Sequence, residues 1–154
     1  MSELNIKILE HFHNPRNVGL IKNADGFGRV ENPINNYLTE IYIKVGEGQI
    51  KDIKFKTFGC TLTIASASAL TESVKGKTLE EIVGESDTID RLMRLIEEKL
   101  GTIPEKNWHC PPTAIQTLLT AIHDYYKKKR EGEKVRELEK LITKVKGYFD
   151  TVLE

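Results

Sequence analysis

Between Ile50 and Val74 the chain changes its hydrophobic period once, and that change limits the folds open to it. Up to Phe58 the residues alternate, with Ile53 and Phe55 opposite Lys54 and Lys56, which is the pattern of a half-buried strand. From Thr61 the period is helical and the side chains are small. Ile64-Ala65-Ser66-Ala67-Ser68-Ala69-Leu70 runs on to Val74, and Gly76 is placed to close the helix. Small side chains let a helix approach a sheet closely, so this stretch predicts an α+β arrangement. Gly59 and Cys60 stand at the junction. A thiol at the first turn of a helix sits beside unpaired backbone N–H groups and the positive end of the helix dipole, which favours the thiolate. Thiolate is the form that binds metal or sulfur.

The remaining patterns fill out the same layers. Leu38 to Val45 alternates, with Ile41, Ile43 and Val45 on one face, and Gly46-Glu47-Gly48-Gln49 turns it into an antiparallel hairpin with Ile50–Phe58. The loop carrying Gly26, Gly28 and Pro33 holds one short edge strand near Gly28–Glu31, giving a sheet of about three strands. Gly26-Phe27-Gly28 lacks the further glycine and helix of a phosphate loop, which argues against nucleotide binding. Ser2 is placed to cap a helix that carries Leu4, Ile8 and Phe12 on one stripe and stops at Asn14-Pro15, and His11 to Gly19 reads as a surface turn. Thr78-Leu79-Glu80-Glu81 fits a capping box for a brief helix ending at Gly84. Ser86 or Asp87 then caps a helix that turns Ile89, Leu92, Met93, Ile96 and Leu100 inward. Trp108-His109-Cys110-Pro111-Pro112 precedes a helix with the inward stripe Ile115, Leu118, Leu119, Ile122 and Tyr126. Cys110 thus also stands at a helix start, where the same field predicts a second thiolate. Beyond Gly132, Val135, Leu138, Ile142, Val145, Phe149 and Val152 recur at heptad steps, which suits either a dimer seam or a helix folded back on its own domain.

At 154 residues the chain has enough length to bury a core without staples, and its 23 basic and 23 acidic residues balance, so a general nucleic-acid or anionic-membrane surface is not expected. Met1 to Glu10 lacks the apolar core of a secretory signal, and no apolar run approaches the roughly 20 residues that cross a bilayer. The expectation is a cytoplasmic protein whose two cysteines are ligands, nucleophiles or core packing rather than a structural disulfide. No C-x-x-C pair is present, which leaves out zinc ribbons and thioredoxin motifs. His109 adjoins Cys110, so Cys60, His109 and Cys110 can offer two thiolates and an imidazole to one soft metal, with a fourth position open.

These residues invite a comparison. His11-Phe12-His13-Asn14-Pro15-Arg16-Asn17-Val18-Gly19, then Phe55-Lys56-Thr57-Phe58-Gly59-Cys60, then Ile64-Ala65-Ser66-Ala67-Ser68 with Val74-Lys75-Gly76-Lys77, and finally His109-Cys110, occur in order. Across about 6–130 the chain resembles the U-type iron-sulfur cluster assembly scaffold family, represented by IscU and the N-terminal domain of NifU. The resemblance implies a scaffold-like domain over 1–130 in which Cys60, His109 and Cys110 meet at one exposed end, with an extra amphipathic helix over 131–154 for docking or dimerisation. It implies a non-enzymatic role: binding a [2Fe-2S] cluster or iron, with a cysteine desulfurase as sulfur donor and recipient iron-sulfur proteins downstream. Cys110 is then the implied persulfide acceptor.

Two departures stand beside it. The family's first ligand lies in an Ala-Cys-Gly-Asp phrase after a proline, and here Asn35 replaces the cysteine and Tyr37 the aspartate, in Pro33-Ile34-Asn35-Asn36-Tyr37. The Leu-Pro-Pro-Val-Lys phrase that serves a dedicated chaperone is represented only by Pro104. A cluster therefore needs a further ligand, supplied by a second copy of the chain or by an exogenous thiol. The competing readings are a zinc-binding interaction module that engages a desulfurase without assembling a cluster, and a persulfide carrier. A Cys60–Cys110 redox switch is also open.

Overall fold

The computed structural model describes residues 4–84 and 86–153, the last four of these by backbone alone. Three antiparallel strands, β1 (Gly26–Glu31), β2 (Leu38–Gly46) and β3 (Gln49–Phe58), pair in that order, with Gly28 opposite Ile41 and Ile41 opposite Phe55. Glu47 and Gly48 both take positive φ between β2 and β3, the two-residue turn whose twist matches a hairpin. Alternation places Val30, Ile41, Ile43, Ile53 and Phe55 on the covered face.

Among the described residues six α-helices cover that face and close the ends: α1 (Ile6–His13), α2 (Thr61–Val74), α3 (Leu79–Val83), α4 (Thr88–Leu100), α5 (Cys110–Lys128) and α6 (Gly132–Leu153). The α+β expectation holds. Every residue of α2 from Ala65 to Thr71 is buried, because α1, α4, α5 and β3 surround it. A helix enclosed in this way needs small side chains rather than an amphipathic stripe. Gly26 and Gly28 serve the same end on the sheet side: with no Cβ, β1 lies against the α5 backbone at Thr117 and Ala121. Phe27 N–H donates to Asp124 Oδ2 of α5 at 2.9 Å, fixing that approach.

The expected boundaries need three adjustments. The Ser2 cap lies outside the described residues, and the Asn5 side chain instead accepts from Ile8 N–H at the start of α1. Asp87 occupies the N-cap of α4 in a left-handed conformation without bonding the helix N–H groups; its carboxylate faces Arg91 and Arg94 instead. The segment after His13 is no free turn. Asn17 C=O accepts from Phe55 N–H and Gly19 N–H donates to Phe55 C=O, so the segment bridges to β3 at Val18. The capping box at Thr78 and Glu81 forms as expected.

Of the two arrangements open to the tail, the chain adopts the folded-back one. Leu138, Val145 and Phe149 are buried and Val135 and Ile142 partly so, with α6 lying along α5. The stripe packs against its own domain; the side chain of Val152 lies outside the described residues. No described helix is long and apolar enough to cross a membrane.

His11 joins α1 to α2. Its Nδ1 lies 2.8 Å from Ser68 Oγ, which also accepts the Arg16 backbone N–H at 2.9 Å. The hydroxyl hydrogen is thus directed at Nδ1, leaving the ring proton on Nε2, which faces Glu72 at 3.8 Å. Burial first, and then the Arg16 guanidinium, hold His11 below the ordinary histidine range. A base kept neutral in the folded state gains protons on unfolding, so its contribution is complete above about pH 6.5 and is lost as pH falls below that value. His109, lowered by burial, acts in the same direction. Stability is therefore expected to decline on acidification from neutrality to about pH 5, with a slope of at most about 1.4 kcal/mol per pH unit for each histidine. His11→Asn keeps an acceptor for Ser68 but does not titrate. Urea midpoints measured across this range should fall less steeply for that variant, and an unchanged slope would show that His11 is not responsible.

Candidate functional site

The site forms where two helices begin side by side. β3 ends at Phe58 and turns at Gly59, where any Cβ would fall 2.9 Å from the Thr63 side chain. Cys60 is the N-cap of α2, with extended backbone and a half-buried side chain. α5 starts at Cys110 with its two prolines in the first turn, where their missing N–H groups have no helical partner to lose. Because α2 and α5 pack together, their starts bring the two thiols to one threonine hydroxyl. Thr63 Oγ1 stands between them, 3.5 Å from Cys60 Sγ and 3.8 Å from Cys110 Sγ.

The two sulfurs divide the proton unequally. The hydrogen bond from Cys110 holds Cys60 well below the ordinary thiol range, aided by Thr63 and by the Leu62 and Thr63 backbone, against the opposing effect of partial burial. Cys110 is pushed up by giving that bond to Cys60, by burial and by the neighbouring thiolate charge. The expectation of two thiolates from two helix starts is therefore corrected. Cys60, the more accessible sulfur, is the thiolate; Cys110, 1% exposed, keeps its proton. Cys60 also faces the Leu62 and Thr63 backbone N–H groups, whereas Cys110 is followed by Pro111 and Pro112, which carry none.

His109 is the N-cap residue of α5 and 8% exposed. The loop replacing the family's first ligand phrase reaches it directly. Asn35 Oδ1 accepts the Tyr37 N–H at 2.9 Å, which orients the amide so that Nδ2 faces His109 Nε2 at 3.2 Å. An amide nitrogen only donates, so Nε2 is the acceptor and the ring proton sits on Nδ1. The histidine lone pair that a metal would use is thus engaged by Asn35. Tyr37 contributes its backbone to this arrangement. Among the described residues, no three His, Cys, Asp or Glu side chains stand in an arrangement that holds a metal ion.

Sequence reasoning missed two supporting residues. Asn32, 2% exposed, donates through Nδ2 to Thr113 Oγ1 at 2.7 Å and accepts the Ile34 N–H at 2.8 Å, tying the Asn35 loop to the first turns of α5. Its signal is the Asn32-Pro33 pair, a turn-forming combination. Thr63, three residues after Cys60, has the spacing of a residue that faces back onto a helix start. Around the site, Ile34 beside Asn35, Phe58 beside Gly59 and Trp108 beside His109 are all exposed apolar side chains.

Residues 3–132 match the family model described as NifU-like N terminal domain. The chain is 45% identical over 148 residues to the iron-sulfur cluster assembly scaffold protein IscU 1 of Archaeoglobus fulgidus, covering 94% of this chain and 92% of that protein. It is 42% identical over 131 residues to the iron-sulfur cluster assembly scaffold protein IscU of Escherichia coli, covering 82% of this chain and 96% of the relative. In three dimensions it is similar to the N-terminal NifU-like protein of Brucella abortus, with a TM-score of 0.65 at 21% identity over 80% of this chain and 94% of that one.

Proposed function

The chain belongs to the NifU-like N-terminal domain family, and we propose that it is an iron-sulfur cluster assembly scaffold that holds iron and sulfide as cargo at Cys60, His109 and Cys110 and passes them on. The observation that carries this reading is the thiolate–thiol pair at two abutting helix starts with an imidazole beside it. Thiolates are the ligands that iron-sulfur clusters use, and imidazole is a known replacement at one iron.

The ligand set is short by one, and the reading includes that fact. Iron binding at Cys110 displaces the proton now shared with Cys60, and His109 must exchange its bond to Asn35 for one to the metal. A cluster held this way has one ligand from outside the chain, a small thiol or a sulfur of a second copy, which suits release to a recipient protein. The exposed side chains of Ile34, Phe58 and Trp108 give the site an apolar rim on which a sulfur donor of the cysteine desulfurase class and the recipient proteins dock in turn.

Anaerobic incubation of the metal-free protein with ferrous iron, inorganic sulfide and a small thiol, followed by gel filtration, tests the reading. Visible absorbance should elute with the protein together with iron and acid-labile sulfide. A colourless protein carrying stoichiometric zinc as isolated would replace it with the zinc-module reading.

A further inference from the structure

β1 is an edge of the sheet, and among the described residues no strand pairs with its outer side. Asn32 N–H donates to Tyr37 C=O on the β2 side, whereas Phe27 N–H is turned the other way, to Asp124 of α5. Backbone groups alternate between the two sides of a strand, so Arg29 and Glu31 point their N–H and C=O groups to the same open side as Phe27. Neither a proline nor a bulge blunts this edge. It forms one wall of a groove of about 570 Å³, with α5 as the floor at Gln116 and α6 as the far wall at Glu139, Ile142 and Lys146. Gln116 is 8% exposed, and among the described residues nothing bonds its side-chain amide. A buried amide without a partner is costly, and the groove is where a partner can enter.

We infer that this groove takes an extended peptide segment of a partner protein as a fourth strand, antiparallel to β1. Arg29 and Glu31 supply the backbone hydrogen bonds of strand addition, and the Gln116 amide meets the incoming backbone from the floor. The α6 wall sets the sequence of the segment. β1 and α5 run in opposite directions, since Asn32 meets Thr113, Gly28 meets Thr117 and Gly26 meets Ala121. α6 returns along α5, with Glu139 Oε2 3.3 Å from His123 Nε2. Glu139 therefore stands toward the Gly26 end of the groove, and Lys146, two helical turns or about 10 Å further on, toward the Glu31 end, with Ile142 between them. Lys146 has no ion partner among the described residues. The side chains of Arg29 and Glu31 turn to the outer face of the sheet and leave this row clear. Alternate residues of a strand share a face and repeat at about 6.8 Å, so three of them serve the row. A strand antiparallel to β1 meets Lys146 first and Glu139 last, and the matching segment reads acidic-x-apolar-x-basic from its N-terminus. A second copy of β1 does not fit, because its own β2 is hydrogen-bonded behind it and α6 stands on that side. The chain preceding a bound segment lies beside loop 32–37, which follows β1 directly. The inference stands whether or not the thiol site carries a cluster.

The test titrates the peptide Thr-Glu-Thr-Val-Thr-Lys-Thr, acetylated and amidated, into the full-length metal-free protein and follows it by NMR. At saturation the backbone amides of Arg29 and Glu31 should exchange with solvent about tenfold more slowly, and the Gln116 side-chain amide should shift. The two threonines flanking valine pair with Arg29 and Glu31, so methylating their backbone nitrogens should abolish binding. Lys146→Glu should weaken binding by about tenfold, and Lys146→Glu combined with Glu139→Lys should prefer the peptide with glutamate and lysine exchanged. Both positions are exposed on α6, so these changes leave the core intact. Unchanged exchange at Arg29 and Glu31 with millimolar peptide overturns the inference. So does an affinity indifferent to N-methylation or to Lys146→Glu, or a peptide that perturbs Phe58 and Trp108 in place of the groove. A doubled mass in sedimentation, with Arg29 and Glu31 protected and no peptide present, overturns it in favour of a second copy.

Discussion

Asn35→Cys should make the reconstituted cluster resist an iron chelator for on the order of a hundredfold longer than in the wild-type protein. The loop that would carry the new thiol is already built. Asn32 anchors it to Thr113, Asn36 N–H donates to Asn32 C=O at 2.8 Å, and the side chain at position 35 faces His109. A cysteine there replaces a neutral amide, a weak ligand for iron, with a third thiolate beside Cys60 and Cys110. It also frees the His109 Nε2 lone pair. Altering a group that merely orients a ligand typically changes metal affinity by about 10–100-fold, and adding a direct thiolate while removing the competing hydrogen bond should reach the upper end of that range. The loss is the Asn35 acceptor for Tyr37 N–H, about 1 kcal/mol, which the thiol sulfur replaces only in part. Two further variants separate the contributions. Asn35→Ala releases His109 without supplying a ligand and should give only a small part of the gain. Asn35→Cys combined with Cys60→Ala returns the chain to two thiols and should lose it. The readout is the anaerobic bleaching rate of the visible absorbance, and equal rates for wild type and Asn35→Cys would mean that position 35 does not face the bound iron.

The layers of the fold were legible because periodicity changes type at each boundary. The alternation of β2 and β3, the small-residue run of α2, and the stripes of α4 and α5 each follow from a repeat visible over ten residues or so. What the sequence concealed depends on contacts between distant segments. Nothing near His11 marks it as a buried partner of Ser68, 57 positions away. The heptad of α6 fits a second chain as well as its own α5, and only the packing of Leu138, Val145 and Phe149 decides between them. At the site, motif and helix position single out Cys60, His109 and Cys110 as candidates, whereas the difference between the two thiols has no sign in the sequence. Both occupy helix starts, and the difference in their protonation comes from burial and from each other. Asn35 likewise read as a missing ligand. In the structure it is a hydrogen-bond partner of His109.

The second large effect is expected far from the thiols, at Gly28, which sits in the middle of β1 with φ in the ordinary extended range and so needs no special backbone freedom. What it needs is the absence of a side chain. A Cβ at this position would fall on the carbonyl oxygen of Thr117, 2.7 Å from Ala121 N and 3.1 Å from Thr120 Cβ. Two of these three atoms belong to the α5 backbone and cannot move aside by rotating a side chain. Relief requires α5 to separate from β1, against the buried Ile115, Leu118, Leu119 and Ile122 and the Phe27–Asp124 hydrogen bond. Overpacking in a core generally costs about 1–3 kcal/mol, and a clash with backbone should exceed it, so Gly28→Ala is expected to lose about 3–5 kcal/mol in urea denaturation. Gly48→Ala is the contrasting case: a Cβ there meets nothing within 4 Å, and its cost is limited to the positive φ, about 1–2 kcal/mol. The functional consequence follows from the fact that α5 carries His109 and Cys110 at its start. Moving the helix draws Cys110 away from Thr63 and Cys60 and weakens the support that holds Cys60 below the ordinary thiol range. Under conditions where Gly28→Ala is still folded, Cys60 should therefore react more slowly with iodoacetamide at mildly acidic pH than in the wild type. A Gly28→Ala protein with wild-type stability and wild-type Cys60 reactivity would show that the seating of α5 on β1 does not set the chemistry of the site.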